Sequence, residues 1–238
     1  MPRRPRTVAF DVVETLMSLE PLRPRLRDVG LAPDTLELWF TRLLRDGMAL
    51  TLAGDYQPFP AVAATALRTI TRGRIDQDAV DHVLAGFTEL PAHPDVAPAM
   101  QTLAVAGVSM VCLSNGAAET TTGFLDRAGL AGFVEQVISV AEVHSWKPPP
   151  VVYEHALARI GRPAGEVALV AVHAFDCHGA KRVGLTTGWA ADSKATTVRS
   201  SAPPTSPAPT WMRSPTGYSP WRSDPPGMTP VPRPPRPC

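Results

Sequence analysis

The sequence has almost no excess of charge of either sign. Across 238 residues, 23 Lys and Arg oppose 22 Asp and Glu, for a formal net charge of +1. That balance argues against a dedicated nucleic-acid binder and against a polybasic membrane-surface protein. Long apolar runs are missing too: none approaches the ~20 residues that span a bilayer. The opening stretch, MPRRPRTVAFDVVETL, begins basic and turns apolar, but Asp11 and Glu14 interrupt it. A buried strand is expected there rather than a signal peptide. Cysteine is scarce. Cys112, Cys177 and Cys238 cannot all pair and lack metal-ligand spacing, so reduced thiols in a cytoplasmic protein are the simplest expectation. What the chain does have is apolar side chains, 44% of the total. Its length suits one sizeable domain or a core carrying an insert.

These averages hide a break near Asp192. Residues 193–238 contain no Leu, Ile or Phe, yet hold 13 of the 27 prolines. The segment carries six Lys and Arg against the single acid Asp224. It therefore contributes +5, leaving −4 for residues 1–192. A stretch with so few aliphatic side chains cannot offset the entropy of ordering its backbone, and disorder is expected. PRPPRP at 232–237 resembles a ligand for aromatic-lined grooves. The abrupt change of composition fits translation in a shifted reading frame better.

Before the break, short apolar runs alternate with helical patterns. TVAFDVV (7–13), VSMVCLSNG (108–116) and EVALVAVHAFD (166–176) read as buried strands, with QVISVAEV (136–143) and VGLTTGWA (183–190) as weaker ones. Val96, Met100 and Leu103 recur at helical spacing, as do Phe124, Leu125 and Ala128, and Val152, Ala156 and Ile160. Alternation of this kind predicts an α/β fold around a parallel sheet. Such sheets bind ligands at the carboxyl ends of their strands, where Asp11, Ser114, Asn115 and Asp176 fall. Residues 19–91 carry three helical stripes: Leu36, Trp39 or Phe40, Leu43 and Leu50; Ala63, Leu67 and Ile70; Val80, Val83, Leu84 and Phe87. They predict a helical insert after the first strand, sitting as a cap over its carboxyl end.

Four elements could carry chemistry. An Asp at a strand end, such as Asp11, can attack carbon or phosphorus and form an ester, although turn capping is the commoner role of such an Asp. Ser114 and Asn115 can hold an anion where a helix begins, or simply cap that helix. Lys147, followed by three prolines, can neutralise a carboxylate or an intermediate, but most lysines are solvated surface groups. Asp176 can hold that lysine, bind a metal with Asp11 or help activate water. His173 lies nearby; a lone loop histidine is more often a packing or surface residue.

In chain order these are strand-Asp, strand-Ser-Asn, Lys-Pro and strand-Asp. That order resembles the haloacid dehalogenase superfamily over about residues 6–191, most clearly in FDVVETL (10–16), LSNG (113–116) and WKPPPVVYEHAL (146–157). The details are most similar to the type II 2-haloacid dehalogenase branch. The resemblance implies a Rossmann-like core (1–18 and 92–192) with a helical cap (19–91) and a proline-rich tail (193–238). It implies that Asp11 is the nucleophile, supported by Thr15, Ser114, Asn115, Lys147 and Asp176. It further implies a small-molecule substrate, a small organic haloacid, and no cofactor. Exposed helices are compatible with a homodimer.

Several positions depart from the family's pattern. Its phosphatases carry a general acid two residues after the nucleophile, where this chain has Val13. Losing such a group costs typically 10²–10⁴-fold. The alternative, a Mg-dependent phosphatase with the ion at Asp11 and Asp176, is therefore disfavoured. Glu14 stands where the dehalogenases have Gly. Phe40 stands where they have a cap-helix Arg, with Arg42 nearby. Ala171 and His173 stand where they have Ser and Asn. Phe40, Arg42 and His173 are the candidates for contact with substrate. The same departures motivate another alternative, an impaired scaffold retained as a binding protein.

Overall fold

The computed structural model describes residues 4–190; the expected disorder of 193–238 lies outside the described residues. Strand β1 (Thr7–Phe10) is followed by helices α1 (Leu22–Asp28), α2 (Thr35–Leu52), α3 (Phe59–Ile70), α4 (Gln77–Ala85) and α5 (Val96–Val105). Then come β2 (Ser109–Ser114), α6 (Ala118–Arg127), β3 (Gln136–Ser139), α7 (Pro150–Ile160), β4 (Val167–Ala171), α8 (Ala174–Arg182) and β5 (Thr186–Trp189). The five strands form one sheet in the order β3-β2-β1-β4-β5, with every neighbouring pair parallel. The Rossmann-like expectation is met.

The period of the strands divides the core. Side chains alternate across a strand. Val8, Phe10, Met110, Cys112, Ala168 and Val170 join α5, α6 and the inserted helices on one face. Ala9, Val111, Leu113, Leu169 and Ala171 face the other way, against Val152, Tyr153 and Ala156 of α7 and Ala180 of α8. Both faces are covered, so the strands read as continuous apolar runs.

Helices α1–α4 fill the interval between β1 and α5, and no named strand occurs there among the described residues. Leu22 and Leu26 of α1, Trp39 and Leu43 of α2, Leu67 of α3 and Val80 and Val83 of α4 are buried together. The Trp39 indole donates to the Ala63 carbonyl, 2.9 Å, tying α2 to α3. Sequence periodicity found the stripes of α2, α3 and α4 but not α1. That helix has only seven residues and includes Pro24 and three arginines, too short for a 3.6-residue period to repeat convincingly.

Two expected strands are shorter than anticipated. The 136–143 run pairs only through Ser139. There the Ser139 and Glu142 side chains form a reciprocal capping box that starts a 3₁₀ turn, Val140–Val143. The 183–190 run begins pairing only at Thr186, because residues 180–182 still belong to α8. Asp176, expected at a strand end, lies instead in the first turn of α8.

Candidate active site

The backbone N–H of Asp11 donates to Val170 O at 2.9 Å, so pairing with β4 continues one residue past β1 before the chain turns away. That turn places Thr15 over the carboxylate. Thr15 Oγ1 donates to Asp11 Oδ2 at 2.6 Å and accepts from Val172 N at 3.1 Å. On the other side, Lys147 Nζ donates at 2.8 Å to both Asp11 Oδ1 and Asp176 Oδ2. Lys147 is 0% exposed, so its charge is compensated only by protein groups. Its own N–H donates to Asn115 Oδ1 at 3.0 Å, which links the ends of β2 and the Lys-Pro segment. Ser114 Oγ accepts from Gly116 N at 2.9 Å.

Five of the six expected catalytic residues thus form one connected cluster: Asp11, Thr15, Asn115, Lys147 and Asp176. Ser114 is buried beside it, engaged with its own loop. One member went unrecognised in the sequence. Tyr153, on α7, donates its hydroxyl to Asp176 Oδ1 at 2.7 Å. The signal was available, since Tyr153 begins the second turn of the helix that follows Lys147.

Electrostatics follow from this wiring. Burial opposes ionisation of Asp11, but the Lys147 ammonium and His173 outweigh it and hold the carboxyl well below the usual range. Burial likewise opposes charge on Lys147, and Asp11 with Asp176 outweigh it, raising that group. Asp176 is raised, first by burial and then by repulsion from Asp11, with Lys147 opposing.

His173 occupies the N-cap position of α8. Its Nδ1 lies 3.5 Å from Asp11 Oδ2, and its Nε2 lies 2.8 Å from Glu14 Oε2. Burial disfavours its charge, but Asp11 and Glu14 outweigh burial and raise it from 6.5 to about 9. The ring stacks against both Phe40 and Phe175. Glu14 itself sits at φ +72°, in the left-handed region where Gly is unstrained. Two departures noted in the sequence, Glu14 and His173, are therefore partners.

A cavity of about 10 Å³, room for about one water, lies against Asp11. Asp11, Asn115, His173 and Asp176 form its polar lining; Val13, Phe40, Leu44, Phe59 and Phe175 form its apolar wall. Phe40 and His173 thus stand where substrate contact was expected. Arg42 does not line this cavity. Two positions along α2 from Phe40, it points elsewhere and pairs with Asp46 at 3.5 Å.

The arrangement does not fit a magnesium ion. Mg²⁺ needs oxygen ligands on near-octahedral axes. Here the Asp11 oxygens are taken by Lys147 and Thr15, and those of Asp176 by Lys147 and Tyr153. The ammonium stands between the two carboxylates that would share the metal. Among the described residues, no group of three or more His, Cys, Asp or Glu could hold a metal ion.

A family model for haloacid dehalogenase-like hydrolases matches residues 5–184. The chain belongs to that family. Within that family the chain is similar to the type II 2-haloacid dehalogenases. One relative, (S)-2-haloacid dehalogenase 1 of Pseudomonas sp. (strain CBS-3), is 32% identical over 187 residues, covering 76% of this chain and 82% of its own. The solved structure of a dehalogenase with an intermediate complex superposes with a TM-score of 0.75 at 27% identity, covering 83% of this chain and 89% of that one. L-2-haloacid dehalogenase from Xanthobacter autotrophicus with chloropropionic acid covalently bound gives a TM-score of 0.72 at 26% identity, covering 78% and 77%.

Proposed function

We propose that this hydrolase cleaves carbon–halogen bonds in small 2-haloacids through an ester on Asp11. The observation that carries the reading is the state of Asp11. It is a buried carboxylate, paired with the Lys147 ammonium and oriented by Thr15, at one side of a small cavity with apolar walls. A desolvated, positioned carboxylate is a competent nucleophile.

In the first step an Asp11 oxygen attacks the halogen-bearing carbon. The new C–O bond forms as the C–halogen bond breaks, and the halide leaves with the bonding pair. The leaving group needs no proton, so Val13 is tolerated where a phosphatase needs an acid. Lys147 stays beside the developing ester and compensates charge on its oxygen.

In the second step water adds to the ester carbonyl carbon and a base takes its proton. Two groups reach that position: Asp176, through the Lys147 network, and His173, whose Nδ1 faces Asp11. Alkylation neutralises Asp11, which is one of the two charges that keep His173 protonated. Once the ester exists His173 loses its Nδ1 proton to solvent more easily, with Nε2–H still held by Glu14, and the freed Nδ1 can then accept the proton of the water. Collapse of the adduct expels the product alkoxide, which takes the proton back and leaves as a 2-hydroxy acid. Asp11, left as the carboxylic acid, gives the second proton of the water to solvent and is regenerated as the carboxylate; no metal is required by any step. Helices α2 and α3, which supply Phe40, Leu44 and Phe59, act as the cap that excludes bulk water.

The test is halide release from racemic 2-chloropropionate by purified protein without added metal, beside Asp11→Asn. Release by the native chain alone is expected. No release by a demonstrably folded protein would overturn the reading.

A further inference from the structure

Trp146, immediately before Lys147, is buried at 0% exposure, and its contacts reach into the inserted helices. Its backbone N–H donates to Thr51 Oγ1 in the last turn of α2, 2.9 Å. Its indole N–H donates to the Gln57 carbonyl just before α3, also 2.9 Å. Its ring stacks on Phe59, with centroids 5.7 Å apart and planes within 11°. On the remaining side α2 comes so close that a Cβ on Gly47 would lie 2.5 Å from the indole.

An ordinary core tryptophan needs only apolar surroundings and one acceptor for its indole N–H. This one is held at both nitrogens and on two ring surfaces by the insert, while the next residue is bonded to Asn115, Asp11 and Asp176. Phe59, the ring it stacks on, also lines the cavity. The Lys-Pro segment therefore has two anchors, one in the insert and one in the core, on adjacent residues.

We infer that Trp146 is a positioning residue: docking of the inserted helices on its indole sets both the Lys147 ammonium against Asp11 and the Phe59 wall of the cavity. Misplacement of a catalytic group by about 1 Å can cost on the order of 100-fold in rate, so a bond network through Trp146 is sufficient to govern turnover. The activity half of this inference rests on the dehalogenase reading above; the placement of Lys147 does not.

Three variants test it: Trp146→Ala, Trp146→Phe and Gly47→Ala. The last leaves Trp146 in place and wedges a methyl group against it. Crowding against the indole destabilises and the higher helix propensity of Ala offsets part of that; both this variant and Trp146→Phe keep the core filled, so they are expected to fold where Trp146→Ala does not. Two quantities are measured on protein shown to be folded by circular dichroism. One is kcat and KM for 2-chloropropionate. The other is the side-chain ammonium signal in protein labelled with ¹⁵N-lysine, which is simple because the chain has only Lys147, Lys181 and Lys194. Gly47→Ala and Trp146→Ala should lower kcat about tenfold or more, with KM changed by less than about threefold, and should shift or abolish the Lys147 signal. Trp146→Phe, which keeps the stack, should retain most of both.

An unchanged Lys147 signal in folded Gly47→Ala and Trp146→Ala overturns the inference, whatever happens to kcat. A displaced signal with no halide release even by the native chain supports the positioning role and refutes the dehalogenase reading instead.

Discussion

The Glu14 carboxylate and the His173 imidazole meet at 2.8 Å across 159 residues of sequence. Glu14 adopts a left-handed backbone and half-buries a charge to make this contact. Replacing Glu14 by Gly or by Gln removes the same ion pair, but only Gly relieves the backbone. Glu14→Gly should therefore be more stable than Glu14→Gln by about 1 kcal/mol, compared by urea unfolding. Equal stabilities would mean that the φ of +72° carries no cost.

His173, facing Asp11 as well as Glu14, imposes a pH dependence on stability. The folded-state value of His173 is raised from 6.5 to about 9. A raised group stabilises fully below its unfolded value and loses that contribution as pH rises through its folded value. The native chain should lose stability between pH ~6.5 and ~9 relative to His173→Gln. Urea midpoints for both proteins at the two ends of that window check the sign.

Asp11→Asn should abolish turnover, by on the order of 10⁶-fold for loss of a covalent nucleophile. Mass spectrometry of the native chain mixed with substrate and quenched early should show an adduct on the peptide containing Asp11. Halide release at native rates by the purified variant would remove Asp11 from the chemistry.

Tyr153→Phe deletes the hydroxyl that donates to Asp176 at 2.7 Å and leaves a buried carboxylate oxygen without that donor. A cost of about 1.5–3 kcal/mol is expected, typical for a hydrogen bond to a charged group. Chemical denaturation reads it directly. A neutral substitution would place the Asp176 oxygen's main partner elsewhere.

Arg42→Ala should leave KM within about twofold of the native value, since a side chain outside the cavity contributes no binding to substrate. Steady-state kinetics decide this. A large rise in KM would show that Arg42 abandons Asp46 when substrate arrives.

Much of this was legible in the residues alone. The strand-Asp, Ser-Asn, Lys-Pro and Asp order, read through its resemblance to the haloacid dehalogenase superfamily, named residues that the fold brings together: Asp11, Thr15, Asn115, Lys147 and Asp176. The inserted helices were visible because Leu36, Phe40, Leu43 and Leu50 repeat at the helical period over a long segment. What stayed hidden was relational. Nothing local says that Tyr153 faces Asp176, or that Glu14 and His173, each odd on its own, satisfy one another. Trp146 reads as one more apolar residue until the insert is seen around it. Arg42 is a candidate by nearness to Phe40, but helical spacing already turns it to another side of α2, where it pairs with Asp46.

The central place of β1 has a consequence for how the molecule comes into being. Thr7 pairs with Ser109 on one side and Val167 on the other, partners about 100 and about 160 residues away, so its ladder closes only after long loops have closed. Apart from Thr15, four residues on, the carboxylate at the end of that strand is held by partners distant in sequence. No fragment lacking the later strands can hold it beside Lys147 and Asp176. Catalytic activity should accordingly return with the last phase of refolding, which makes turnover a stringent reporter of complete assembly of the domain.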